Sequence, residues 1–276
     1  MKNGHSCISL LGCGWLGLPL GERLLAEGYE VRGSTTTPSK VEEIQGKGIE
    51  AHLLSLDPEP SDKASLTRLL DTDILLINIP PRTRTRDGHF HVQQIETLVE
   101  RIHRSRTARV LFISSTSVYP ALNQVARESD ALDENTCGNL TLYQAEQTLL
   151  KGLSHLRPLV LRSAGLMGGQ RIAGRYFAGQ KKLQLPNHPV NYIHREDLIN
   201  LVVALLVHDA KSQIYNCCAP VHPWLYEVYK RNAEHYGFEA PVFDPHLPSA
   251  PFKLVDGHQL VAELGYRFVF PDPMLF

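Results

Sequence analysis

The segment Cys7-Ile8-Ser9-Leu10-Leu11-Gly12-Cys13-Gly14-Trp15-Leu16-Gly17 decides the fold. Its first five residues form a short apolar run of the buried-strand kind. The last six spell Gly-x-Gly-x-x-Gly just where helical spacing begins over Gly17–Glu27. Gly12 permits a tight turn, Gly14 lets the backbone approach a pyrophosphate, and Gly17 lets the helix lie close to the sheet, with Trp15 and Leu16 completing the turn. The helix N-terminus adds free N–H groups and the positive end of its dipole. The expected ligand is the pyrophosphate of NAD or NADP; the plain alternative is a glycine turn that merely packs.

Outward from this turn, apolar strands alternate with amphipathic stretches. Strands are expected at Tyr29–Gly33, Ile49–Leu54, Asp73–Ile79, Arg109–Ile113 and Leu159–Leu161. Helices are expected at Pro38–Gln45, Asp62–Leu70, His91–His103 and Leu140–Leu153. The continuous apolar run Asp73–Ile79 reads as a central parallel strand, buried on both faces. Such regular alternation predicts an α/β chain of the Rossmann type, a doubly wound parallel sheet with right-handed crossovers. The rhythm fails over Gly165–Pro189 and resumes in an amphipathic helix at Arg195–Val207. It then gives way to a Pro-rich remainder with helical islands at Trp224–Tyr236 and Gly257–Leu264. The expected organisation is an NAD(P)-binding domain over 1–164, to which 190–218 return, and a small C-terminal substrate-binding lobe from 165–189 and 219–276.

Composition narrows the class. The 276 residues are 43% hydrophobic and 21% charged with a formal net charge of −1, as in an ordinary globular protein with no electrostatic reason to bind nucleic acid or an anionic membrane. No apolar run reaches the roughly 18–20 residues that span a bilayer, and the start of the chain carries no signal-peptide pattern. The five cysteines form no CxxC pair, so the expected compartment is a reducing cytoplasm, with no disulfide framework and no metal site. The expected partner is a small-molecule substrate.

The end of the second strand distinguishes the two dinucleotides, because NAD-selective sites place an acid there for the ribose hydroxyls. Val31 to Lys40 contains no acid. The hydroxyls of Ser34, Thr35 and Thr36, with Lys40 and Arg32, suit a 2′-phosphate, so NADP is expected over NAD. The alternative is a polar loop with a helix cap at Thr37 or Ser39. Asn78-Ile79-Pro80-Pro81 follows the fourth strand, where Pro80 would border the cofactor on a stiffened loop. Arg82, Arg84 and Arg86 then form a basic loop, either solvated or clamping an anion. The strand at 109–113 exits into Ser114-Ser115-Thr116-Ser117-Val118-Tyr119, hydroxyls placed where parallel sheets hold their ligands. Downstream, Leu142-Tyr143-Gln144-Ala145-Glu146-Gln147 opens a helix whose tyrosine can face them.

Together the Gly12–Gly17 turn, the Ser114–Tyr119 segment and the helical Tyr143 resemble the extended short-chain dehydrogenase/reductase family, the NAD-dependent epimerase/dehydratases. Leu161–Gly168 is similar to the turn after that family's sixth strand, and Asn191–Leu198 resembles its Asn-x-Ile-His helix start. Leu264–Phe268 with Pro271-Asp272 is similar to the end of its atypical, YeeZ-like branch. The resemblance spans nearly the whole chain. It implies that Ser115 polarises a substrate carbonyl or hydroxyl, that Tyr143 exchanges a proton with the substrate oxygen, and that the chain can pair as a homodimer. The family's lysine, four residues after the tyrosine, holds the ribose and lowers the tyrosine pKa. Here that position is Gln147, which can hydrogen-bond the ribose but brings no charge. A tyrosine without a positive neighbour has a pKa of about 10 and is a poor base near neutrality. Lys151 lies roughly 12 Å farther along the helix and is no substitute.

Two readings follow. One is an NAD(P)-dependent oxidoreductase or epimerase/dehydratase acting on a small carbonyl, hydroxyl or sugar-like substrate. The other is a catalytically silent NAD(P)-binding redox sensor of the NmrA-like kind. His194 reads as structural, the Asn191/Asp197 pair as local loop and cap wiring, and Tyr143 itself can be a plain helix residue.

Overall fold

A computed structural model describes residues 6–82 and 85–276 of the chain. The β-α rhythm of the sequence appears as β1 (Cys7–Leu11), α1 (Gly17–Ala26), β2 (Glu30–Thr35), α2 (Lys40–Gly46) and β3 (Glu50–Leu53). A small hairpin, β4 (Leu56–Asp57) and β5 (Glu59–Pro60), precedes α3 (Lys63–Leu70) and β6 (Ile74–Ile77). Next come α4 (Gly88–Ile102), β7 (Arg109–Ser115), β8 (Gln124–Ala126), α5 (Leu140–Gly152) and β9 (Leu159–Ser163). The chain ends through β10 (Gly165–Met167), β11 (Tyr192–His194), α6 (Arg195–Leu206), β12 (Ile214–Cys217), α7 (Leu225–Tyr236), β13 (Lys253–Val255) and α8 (His258–Leu264).

Seven strands form one parallel sheet in the order β12-β9-β7-β6-β1-β2-β3. The order reverses at β1, which is flanked by β2 in the register Leu10↔Gly33 and by β6 in the register Leu11↔Ile77. Ligands of open α/β sheets bind beyond the carboxyl ends of the strands at such a reversal. All five residues of β1 are buried, as a strand with helices on both faces requires. The expected strand Asp73–Ile79 ends two residues early. Asn78 still donates its N–H to the Leu11 carbonyl at 2.9 Å, and its Nδ2 donates to the Gly12 carbonyl at 3.0 Å.

The chain divides into two compact units. The first holds 1–114, 133–161 and 210–214; the second holds 115–132, 162–209 and 215–276. The core of the first joins Leu11, Ile77 and Phe112 of the sheet to Leu66 and Leu69 of α3, Ile95 and Leu98 of α4, and Ala145 and Leu149 of α5. The 15-residue α4 starts three residues before the expected His91, because the Asp87 carboxylate accepts from the Phe90 N–H at 3.0 Å and caps it.

In the second unit Leu183, Val190, Leu225, Val228 and Tyr229 form a separate apolar cluster. β10 pairs with β11, and β8 pairs in parallel with β13 across more than a hundred residues of sequence. Asn191 and Asp197 differ from their expected local role. Asn191 bridges the Lys253 carbonyl and the Val255 N–H, at 2.8 Å each. Asp197 is fully buried and accepts from Tyr266 Oη at 2.6 Å and from the N–H groups of Val269 and Phe270 at 2.8 and 2.9 Å. Both side chains brace the C-terminal segment, a long-range task that a pattern of neighbours in sequence does not display. His194 sits at the start of α6, where its Nδ1 accepts from Glu196 N–H, and its ring lies 3.8 Å from that of Phe270.

Candidate active site

The glycine turn is locked from several sides. Gly12 adopts φ +103°, and a Cβ there would stand 2.5 Å from the Asn78 carbonyl oxygen. Its N–H donates to Ser34 Oγ at 3.0 Å, and Cys13 N–H donates to the Ser34 carbonyl at 2.7 Å. The turn is thus tied to the ends of both β2 and β6. A Cβ on Gly17 would come within 2.1 Å of the Gly12 carbonyl oxygen, so this glycine keeps the turn closed on itself. Farther along α1, Gly21 makes a second close approach, where a Cβ would meet Ile49 and Leu10 at 2.6 and 3.1 Å. Gly14 is different. It is exposed, and a Cβ there would meet nothing within 4 Å. Backbone that is bare on its outer side and opens a helix is what a pyrophosphate needs. Leu16 is buried beneath the turn, and Trp15 is half-buried.

At the end of β2 the side chains divide their tasks. Ser34 and Thr35 are buried, Ser34 holding Gly12 and Thr35 Oγ1 accepting from Thr37 N–H at 3.2 Å. Thr36 and Lys40 are exposed. Arg32 is not available to a 2′-phosphate. It is buried, its Nε donating to Glu50 Oε2 at 3.2 Å and its Nη1 to the Arg68 carbonyl at 3.1 Å and to the Asp71 carbonyl. On a strand, Arg32 points to one face and cannot also serve the loop beyond. Ser39 stands at the N-cap of α2 and makes no side-chain cap bond, so the alternative cap at Ser39 is not formed. The Cys13 thiol, inside the turn, is pushed up to about 12 by burial and stays protonated.

The exit of β7 brings hydroxyls to the carboxyl end of the sheet. Ser114 is buried in the first unit and donates from Oγ to Glu146 Oε1 at 2.5 Å. Glu146 is itself fully buried on α5. Tyr143 and Gln147, both half-buried, lie on the same helix one turn before Glu146 and one residue after it. Residues three and four apart share a helix face, so the Ser114–Glu146 bond sets the start of α5 against the end of β7. Asn139 caps this helix, accepting from Leu142 N–H at 3.2 Å. The sequence reading passed over Glu146. Its one signal was an acid at an apolar position of an amphipathic helix, a signal that also fits a helix edge.

Ser115 belongs to the second unit, where its Oγ accepts from Ser117 N–H at 3.1 Å and caps a single helical turn, 116–118. Tyr119 is buried in that unit, donating to Asn216 Oδ1 and accepting from Arg162 Nη1, both at 2.8 Å. Burial pushes its phenol upward, so it stays protonated and structural. Beyond β6, Pro80 and Arg82 are exposed. Arg86 pairs with Asp57 at 3.0 Å and stacks over Phe90, and Arg84 lies outside the described residues. On α7 and at its N-cap, Tyr229 is buried in the second core while Tyr226 and Trp224 are exposed. No helix among the described residues is long and apolar enough to cross a membrane.

A parallel sheet that reverses at a glycine-rich turn, with helices on both faces, is a Rossmann-like fold of the short-chain dehydrogenase type. Residues 10–153 match the model of the NAD dependent epimerase/dehydratase family, and the chain belongs to that family. It is 36% identical over 269 residues to Protein YeeZ of Escherichia coli (strain K12), covering 97% of each chain. Vestitone reductase from alfalfa superposes with a TM-score of 0.75 at 17% identity, covering 97% of this chain and 95% of that one. The Bacillus cereus UDP-glucuronic acid 4-epimerase in complex with NAD gives 0.76 at 16% identity, with coverage of 97% and 95%.

Proposed function

We propose that this chain is an NAD(P)-dependent oxidoreductase or epimerase/dehydratase acting on a small carbonyl, hydroxyl or sugar-like substrate. The observation that carries the proposal is the Ser114–Glu146 bond. It holds the helix of Tyr143 and Gln147 at the carboxyl end of β7, within the unit that also holds the bare Gly14 backbone. The N–H groups opening α1 would bind the pyrophosphate, and the dinucleotide would supply hydride chemistry when bound. The Ser115 hydroxyl can donate a hydrogen bond to a carbonyl or hydroxyl oxygen, and Tyr143 Oη can hold a proton for exchange. Gln147 offers its amide to the ribose. Exposed Thr36 and Lys40, with no acid between Val31 and Lys40, support NADP over NAD. We also expect a homodimer in a reducing cytoplasm.

A second reading rests on Gln147. Without a cation at that position the same fold serves as an NAD(P)-binding sensor of the NmrA-like kind. Fluorescence titration with NADPH and NADH, followed by a carbonyl panel run with wild type and Tyr143→Phe, separates the two. The enzyme reading expects NADPH to bind more tightly, and turnover to fall by two or more orders of magnitude in the variant. Tight binding without turnover on any panel member selects the sensor. Failure to bind either nucleotide overturns both.

A further inference from the structure

The first unit contains a cavity of about 370 Å³ far from the glycine turn. It opens between one side of α3 along its whole length, the end of α4 and the loop that leads into β7. Asp71 and Arg106, which line it, stand three residues before β6 and β7 begin. It therefore lies at the amino ends of these strands, whereas Gly12 and Asn78 follow the carboxyl ends of β1 and β6. The length of β6 alone separates the two places by roughly 13 Å.

The lining has two characters. Pro60, Leu66 and Leu70 form a buried apolar floor, and Lys63, Arg101, Arg104 and Arg106 bring four cations from three separate elements. One carboxylate, Asp71, is in the lining, and it lies 3.3 Å from Arg106 Nε and 3.9 Å from Arg68 Nη1. Arg106 also reaches Asp73, at 3.3 Å. Glu59 and Glu100 approach Arg101 and Arg104 from outside the lining, each at 3.4 Å, with side chains 71% and 60% exposed. Pairs that exposed contribute little and exchange readily. Lys63 makes no ion pair among the described residues. Arg101 Nε is buried with no hydrogen-bond partner, a donor left unmatched beside the cavity.

Three of these cations already have a carboxylate within 3.4 Å, but Lys63 has none among the described residues and the buried Arg101 Nε has no acceptor, so the apolar floor is rimmed by donors that an anion can join. We propose that this cavity is a second small-molecule site, taking a compact ligand in which a phosphate or carboxylate is attached to an apolar body. The volume falls in the range of small-molecule sites. The apolar part would cover Leu66 and Leu70, and the anionic head would meet Lys63 and Arg104, with Arg101 completing its hydrogen bonds.

The experiment is calorimetric titration of the full chain with 1-naphthyl phosphate, with and without saturating NADPH, and with 1-naphthoate in parallel to separate phosphate from carboxylate preference. The expected result is one bound equivalent in both conditions. In Lys63→Glu/Arg104→Glu the affinity should drop at least about tenfold, with the far-UV spectrum and NADPH affinity unchanged. If the double reversal disturbs folding, Arg104→Gln reads the same loss at smaller amplitude. Three results overturn the proposal: no binding of either probe, binding that NADPH displaces, or binding that the charge changes leave intact.

Discussion

Two glycines two residues apart carry opposite burdens. Gly12 is bound by its own fold, since a side chain there meets the Asn78 carbonyl and the φ of +103° strains any L-residue. Gly12→Ala should therefore lower stability by roughly 1–3 kcal/mol, read by urea denaturation. Gly14 has open space instead, so Gly14→Val should leave the unfolding free energy within about 0.5 kcal/mol of wild type. It should nevertheless abolish dinucleotide binding, because its side chain occupies the phosphate's approach. A Gly14→Val protein that binds NADPH normally would remove the turn from the site. The glycines were legible as a motif, but their division of labour was not. Whether a position is crowded or bare depends on residues far off in sequence, as Gly12 is crowded by Asn78 just past the end of β6.

At the scale of elements, Glu50 joins three pieces of the first unit. On β3 it takes a bidentate bond from Arg68 of α3, at 2.8 and 2.9 Å, and another from Arg32 of β2. The Arg68 guanidinium, helped by His52 and Arg32, holds the Glu50 carboxyl down to about 2. An unfolded chain protonates this group near the ordinary glutamate value of about 4.3. Its stabilisation is thus fully present above that pH and is lost as the pH falls toward 2. Thermal melts of Glu50→Gln between pH 6 and 2 should show a lower Tm at pH 6 and a flatter acid limb than wild type. Parallel limbs would exclude the clamp. Strands and helices themselves were well marked in the sequence, because hydrophobic period survives in any context. Partnerships were not. Arg32 was expected at a 2′-phosphate, yet its side chain points to Glu50, and the pairing of β8 with β13 has no local sign.

At the scale of the molecule, the chain passes between its two units at 114/115, 132/133, 161/162, 209/210 and 214/215. Neither unit is a continuous piece of sequence. A fragment ending at residue 209 lacks β12 from the sheet and 215–276 from the second unit, so it should show no cooperative thermal transition by far-UV circular dichroism. A sharp transition would mean that the first unit folds without its last strand. The order of the strands also has a meaning in time. β9 is complete at Ser163, but β12, its outer neighbour, ends only at Cys217. During translation at about 5–20 residues per second, the free edge of β9 is exposed on the ribosome for several seconds before its partner emerges. Over that interval the nascent chain offers a row of unpaired amides to any other strand nearby, which makes it a client for whatever shields emerging polypeptides.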